Sequence, residues 1–250
     1  MPGDFTKLEE SLRRIPRELG SVPRALLVIS GHWEENEFTV QTSPKPPMLY
    51  DYGGFPEFTY HIQYPAPGAP DVAQRVVELL TAAAVDVSTD GVRGFDHGVF
   101  APLYVSYPEA NVPILQLSMR RGLDPLEHLA VGRALAPLRE EGVVIIGSGL
   151  SYHNLSNFGA SAAAVSAEFD GWLGAVLTGS SAQERSRQLT EWEKAPSARL
   201  SHPREDHLIP LMVAVGAAET EMGERIYYDE SFMGAVVSSS YRFGEAPVKV

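Results

Sequence analysis

The feature that most constrains this chain is the run Ala25-Leu26-Leu27-Val28-Ile29-Ser30, apolar over a strand's length and closed by Gly31-His32-Trp33. A strand without polar alternation is buried on both faces, which calls for a sheet covered on both sides. Val112–Ser118 reads as a second buried strand, and Val143–Ile146, opened by Gly142, as a third. Helical patterns lie around them. Phe5, Leu8, Leu12, Ile15 and Leu19 recur at spacings of 3, 4, 3 and 4 behind Asp4 as N-cap, and Gly20 ends that helix. Asp71 caps a helix to about Ala84, Asp124 caps one to Glu141, and two more run over 161–178 and 207–221. Segments 226–228 and 235–243 are strand-like. Strands alternating with helices, with no internal repeat and no linker rich in Gly and Ser, predict one domain over residues 1–250. Its class is α/β: a layered fold with a central mostly parallel or mixed sheet flanked by helices.

A short alternating segment, 38–42, precedes a loop rich in Pro, Gly and Tyr from Ser43 to Pro70. Loops of that length are usually functional or disordered, and Tyr50, Tyr52, Phe55, Phe58, Tyr60 and Tyr64 favour an ordered, functional one. Charge narrows the partners. With 20 Lys+Arg against 32 Asp+Glu the net charge is −12, so nucleic acid and anionic membrane surfaces are repelled. No apolar run approaches the roughly 18 residues that span a bilayer. Met1 to Glu10 lacks the basic start and apolar stretch of a secretory signal, which predicts a cytoplasmic protein. Zero Cys removes disulfides, thiolate ligands and a Cys nucleophile, and leaves histidine as the main candidate metal ligand.

There are seven histidines. His32 follows one buried strand and His153 follows another through Gly147-Ser148-Gly149-Leu150-Ser151-Tyr152. In open α/β sheets the crevice beyond the carboxyl ends of the strands is the binding site, so parallel neighbours would bring these two together. His97 sits between Gly94 and Gly98, with Asp96 as a candidate to orient an imidazole. His207 begins an apolar helix. Any one histidine after a strand is most often a hydrogen-bonded structural residue; the case for function is joint placement, since a catalytic metal needs about three protein ligands and an open position. His128, mid-helix among Leu126, Glu127 and Leu129, reads as structural, and His61 in the aromatic loop as a substrate contact or loop packing. The Gly147-Ser148-Gly149 turn lacks both the G-x-S-x-G elbow of a serine hydrolase and the features of a nucleotide loop.

Six segments in order resemble the class III extradiol ring-cleavage dioxygenases, specifically the DOPA-dioxygenase-type branch. They are Ser30-Gly31-His32-Trp33, Tyr50-Asp51-Tyr52-Gly53-Gly54-Phe55-Pro56, Tyr64-Pro65-Ala66-Pro67-Gly68, Gly94-Phe95-Asp96-His97-Gly98, the Gly147 to Leu155 turn, and His202-Pro203 through His207 to Ala218. The resemblance implies one non-haem Fe(II) or Zn(II) per chain with His32 and His207 as ligands. It implies His153 as the catalytic acid/base and His97 in the same pocket. It implies a small catecholic substrate and O₂, with Tyr50, His61 and His202 as candidate substrate contacts; His202 is alternatively a support for its neighbours. In the family an earlier strand ends in an H-G turn that supplies a further ligand histidine. No histidine precedes His32. The resemblance therefore predicts an N-terminally truncated form with activity impaired by a missing ligand, for which Glu34, Glu35, Glu205 or Asp206 are the carboxylate substitutes. Two other readings remain at this point: a zinc-dependent hydrolase built on the same histidines, and a non-catalytic protein that binds aromatics through the Tyr50–Tyr64 loop.

Overall fold

The computed structural model describes residues 5–244; Asp4, expected to cap the first helix, lies outside them. In chain order the elements are α1 (Thr6–Leu19), β1 (Ala25–Glu35), β2 (Phe38–Gln41), α2 (Pro70–Ala82), β3 (Val87–Asp90), α3 (His97–Ser106), β4 (Ile114–Arg120) and α4 (Pro125–Leu135). They continue as α5 (Pro137–Glu140), β5 (Val143–Ser148), α6 (Ala163–Gly179), α7 (Ala182–Thr190), α8 (Ala198–Ser201), α9 (Ile209–Ala217), β6 (Glu224–Phe232) and β7 (Val236–Arg242). Five strands form one sheet in the order β3-β2-β4-β1-β5, and β6 and β7 form a separate antiparallel hairpin. β1 runs parallel to β4 and β5, while β2 is parallel to β3 and antiparallel to β4, so the sheet is mixed.

The unbroken apolar run of β1 does what its composition requires. Successive side chains alternate between faces, so Ala25, Leu27 and Ile29 enter one core with α2, α4, α6 and α9, while Leu26 and Val28 enter a second core with α3 and the 48–66 loop. Both faces of β1 are thereby dry, as expected of a central strand. β5 is a sheet edge, and Val144, Ile145 and Ile146 are only half-buried there.

Four departures from the sequence expectation have physical causes. β1 does not stop at Gly31-His32-Trp33. Its pairing with β4 jumps from Ile29↔Leu117 to Glu34↔Met119, so the strand bulges there and resumes, placing His32 in the bulge. The helix expected over 124–141 is two helices, because Pro137 cannot donate to the ladder and opens α5. The helix expected from His207 starts at Ile209 with Pro210 in its first turn, so His207 belongs to the preceding turn. α3 was not expected at all: it is apolar all round and contains Pro102, so no amphipathic period announced it.

His128 is structural, as read. It is 0% exposed, accepts the Arg120 backbone N–H at Nε2 over 3.2 Å and lies 2.7 Å from the Asp124 carbonyl through Nδ1. Burial, partly offset by the Asp124 carbonyl, pushes its pKa down to about 4. Because the folded pKa lies below the unfolded value of 6.5, the folded chain binds fewer protons between pH 6.5 and 4, and stability is lost as pH falls through that window. One such shift amounts to roughly 3 kcal/mol at the acid end. Thermal unfolding between pH 7 and 4.5 should therefore show Tm falling with acidity. His128→Gln, which keeps both hydrogen bonds without titrating, should flatten that slope; an unchanged slope would contradict the assignment.

Candidate metal and catalytic centre

The parallel pairing of β1 with β5 ends at Ser30↔Ser148, where β5 ends and β1 bulges away before it resumes against β4. His32 lies in that bulge, and His153 comes five residues after β5. The turn that carries His207 is laid against both. Leu150 N–H donates to the His207 carbonyl over 3.2 Å, and His153 N–H donates to the Ser201 carbonyl over 3.0 Å. Glycine makes this approach possible. A Cβ on Gly149 would stand 2.1 Å from the His207 carbonyl oxygen, and one on Gly98 would stand 2.4 Å from Ser30 Oγ and 3.1 Å from His32 Cδ2.

Four of the seven histidines meet there. The rings of His32 and His97 are 3.9 Å apart, those of His32 and His207 4.8 Å, and His153 stacks on His207 at 3.4 Å and 17°. The Nε2 atoms of His32 and His207 converge to 3.2 Å. Carboxylates stand at the opposite ring nitrogens. Asp51 Oδ2 is 3.5 Å from His32 Nδ1, and Asp206 Oδ2 is 3.3 Å from His207 Nδ1, off the line of a well-aligned hydrogen bond but within charge attraction. Asp206 Oδ1 also lies 4.0 Å from His153 Nδ1, and Asp51 Oδ1 lies 2.8 Å from His97 Nδ1.

Electrostatics follow from this packing. Burial first, then the neighbouring imidazoles His97 and His207, push His32 down to about 4; burial and His207 do the same to His153. Partial burial pushes the Asp51 and Asp206 carboxyls up, but hydrogen bonding and charge from the facing histidines outweigh it and hold both at about 2. Near neutral pH, His32 and His153 are neutral and both carboxylates are ionised. The His32 and His207 Nε2 atoms face each other within hydrogen-bond distance; where both rings carry their proton on Nδ1, beside the carboxylates, both Nε2 lone pairs point at one place. Two imidazole nitrogens at one place, each ring backed by a carboxylate, fit two ligand positions of a divalent Fe or Zn ion, one fewer than the three protein ligands of a catalytic site.

The other expected residues lie elsewhere. His202 is 0% exposed, packed against Phe169 and Trp192, and its Nε2 lies 3.1 Å from the Ser151 carbonyl; it does not reach the pocket. His61 is exposed beside Glu57. Tyr50 donates its hydroxyl to the Ile62 carbonyl, and it is Tyr52 whose ring stands against His97, at 5.4 Å. Asp96, the candidate to orient His97, is bound instead by Ser30 Oγ at 2.7 Å and Arg93 at 3.0 Å. The carboxylate that serves His97 is Asp51, which the sequence reading passed over although it stands at the centre of the Tyr50-Asp51-Tyr52-Gly53-Gly54 motif. Of the four carboxylates named as substitute ligands, Asp206 alone stands in the histidine cluster: Glu34 pairs with Arg204, Glu35 accepts from Trp33 Nε1, and Glu205 pairs with Arg199.

Comparison with known proteins gives the family. Residues 3–244 match the family model of the catalytic LigB subunit of aromatic ring-opening dioxygenase. The 4,5-DOPA dioxygenase extradiol of Beta vulgaris is 42% identical over 227 residues, covering 88% of this chain and 83% of that protein. The protein of the same name from Escherichia coli K12 is 34% identical, covering 89% and 83%. Dioxygenase tasH of Hapsidospora irregularis is 36% identical over 96% of this chain and 79% of its own. A crystal structure of an uncharacterized Escherichia coli K12 protein superposes with a TM-score of 0.79 at 30% identity, over 94% of this chain and 92% of that one. The chain belongs to the LigB family of aromatic ring-opening dioxygenases and is a ring-cleaving dioxygenase.

Proposed function

We propose that the protein is a non-haem, metal-dependent extradiol dioxygenase that opens the ring of a small catechol with O₂. The observation that supports this most is the 3.2 Å convergence of His32 and His207 Nε2, with His153 stacked on one side and His97 on the other. In this reading His32 and His207 hold one Fe(II) or Zn(II). Such an ion, when bound, supplies the Lewis acidity that lowers a catechol hydroxyl's pKa and, if ferrous, the electron density that O₂ chemistry needs.

The chain's own residues handle the proton and the ring. His153, kept neutral at pH 7 by burial and by His207, is a free base that takes the catechol proton. Once protonated, it is steadied by the Asp206 carboxylate 4.0 Å from its Nδ1 and returns the proton as the ring opens. His97 and the edge of Tyr52 bound the opposite side, with Tyr50 behind Tyr52 at 6.3 Å. Tyr50 shapes this wall through its ring, and His202 supports the turn before His153 by engaging the Ser151 carbonyl. His61, exposed at the loop surface, is a contact only for a substituent that reaches outward. A reducing cytoplasm, which keeps iron ferrous, suits such a reaction. No helix among the described residues is long and apolar enough to cross a membrane.

Incubation with a catechol should consume O₂ and give a yellow ring-opened product. A chelator should abolish turnover and Fe(II) restore it; product formed under anaerobic conditions would select a hydrolytic reaction instead. His32→Ala and His207→Ala should lose metal and activity together. His153→Ala should keep its metal but lose turnover by about 100-fold or more, the usual scale for removal of a general acid–base. Full activity in His153→Ala, measured as kcat at saturating metal, would refute the role given to it.

A further inference from the structure

One carboxylate from the aromatic loop addresses two histidines that come from different elements. The loop is pinned just before it: Phe95 N–H donates to the Pro47 carbonyl and Leu49 N–H to the Phe95 carbonyl, each over 2.8 Å. Gly94 permits this contact, since a Cβ there would stand 2.5 Å from the Pro47 oxygen. Two residues beyond Leu49, Asp51 Oδ1 accepts the backbone N–H of His97 at 3.0 Å and faces its ring Nδ1 at 2.8 Å. Oδ2 faces Nδ1 of His32 at 3.5 Å. An ionised carboxylate only accepts, so a short contact to an imidazole nitrogen requires that nitrogen to carry the proton. The side chain is 19% exposed and flanked by Tyr50 and Tyr52, whose hydroxyls are committed to the Ile62 and Thr59 carbonyls, so the loop holds it in place.

We propose that Asp51 is the positioning residue of this centre. It fixes His97 with its proton on Nδ1, turns His32 so that Nε2 faces His207, and so ties the placement of the aromatic wall to the readiness of the ligand pair. A carboxylate behind an imidazole that binds a metal both orients the ring and raises its basicity, and loss of such a partner typically weakens metal affinity about 10- to 100-fold. The inference rests on the reading of His32 as a ligand for its second half, and on geometry alone for its first.

The test uses the full chain with Asp51→Asn and Asp51→Glu, Zn(II) alone as the probe, and ring nitrogen NMR on the metal-free protein. In the wild type His97 should carry its proton on Nδ1. Asp51→Asn should shift His97 towards a mixture of tautomers and weaken Zn(II) binding by about 10- to 100-fold at unchanged stoichiometry. Asp51→Glu, which keeps the charge, should recover part of both. A merely structural role would lower Tm in both variants without moving the tautomer. A wild-type His97 protonated on Nε2, or Asp51→Asn matching the wild type in tautomer and zinc affinity, would overturn the proposal. Complete loss of zinc stoichiometry in Asp51→Asn would also overturn it, by making Asp51 a ligand. Wild-type protein that binds no zinc would instead bring down the metal reading and the His32 half of this one, while the tautomer measurement still decides the His97 half.

Discussion

Close backbone contact between three separate segments underlies the rest of the site. The bulge of β1, the turn after β5 and the turn before α9 approach one another so closely that a Cβ on Gly149 would clash with the His207 backbone. Gly149 lies under the His207 carbonyl, Gly98 under Ser30 and His32, and Gly31 under Asp206, where a Cβ would be 3.1 Å from the carbonyl oxygen. α9 is itself drawn in by glycine: a Cβ on Gly132 of α4 would meet the Val213 carbonyl at 2.2 Å, and one on Gly216 would meet the Leu129 carbonyl at 2.2 Å. The packing of α4 on α9 therefore sets the depth at which His207 reaches the sheet end. A core contact far from the chemistry and the spacing of the histidines are one mechanical problem.

Electrostatics then decide what those histidines can do. Burial and the imidazoles packed against them favour the neutral forms of His32 and His153. The two carboxylates enter at the Nδ1 side of each pair, Asp51 beside His32 and His97, Asp206 beside His207 and His153. Each stays ionised because the histidines facing it offset its desolvation. The result is near two-fold in logic although not in sequence: one ring of each pair presents Nε2 to the common centre, and the other stands beside it. Positive charge on Arg93 and Arg204 is taken up by Asp96, Glu34 and Asp206, so these cations balance the surrounding acids.

Much of this was legible in the chain. The dry run Ala25–Ser30 announced a central strand because an unbroken apolar run is a local property, and the histidines after two strands pointed to the crevice on the condition that those strands run parallel, which they do. What could not be read depended on contacts between distant segments. The bulge that turns His32 out of β1 is a register shift against β4, invisible in β1 alone. His202 was a candidate substrate contact because it shares the last motif with His207, yet Phe169, Trp192 and the Ser151 carbonyl enclose it. Asp96 looked like the orienting carboxylate of His97 by adjacency, but its side chain makes no cap bond and is held by Ser30 and Arg93 instead. Asp51 lies 46 residues from His97 and was reachable only through the pairing of Pro47 and Leu49 with Phe95.

The burial that makes this pocket costly is also what makes it useful. An exposed histidine with a pKa near 6.5 is partly protonated at neutral pH, and a protonated imidazole has no lone pair for a metal or for a substrate proton. With His32 and His153 held near 4, the neutral form dominates, so each ring keeps one nitrogen with a free lone pair. In the folded protein the His32 and His207 Nε2 atoms stand 3.2 Å apart, within hydrogen-bond distance, so one nitrogen can donate its proton to the lone pair of the other. A bound cation would instead take a lone pair from each nitrogen, which requires both rings to carry their proton on Nδ1, on the side of the carboxylates.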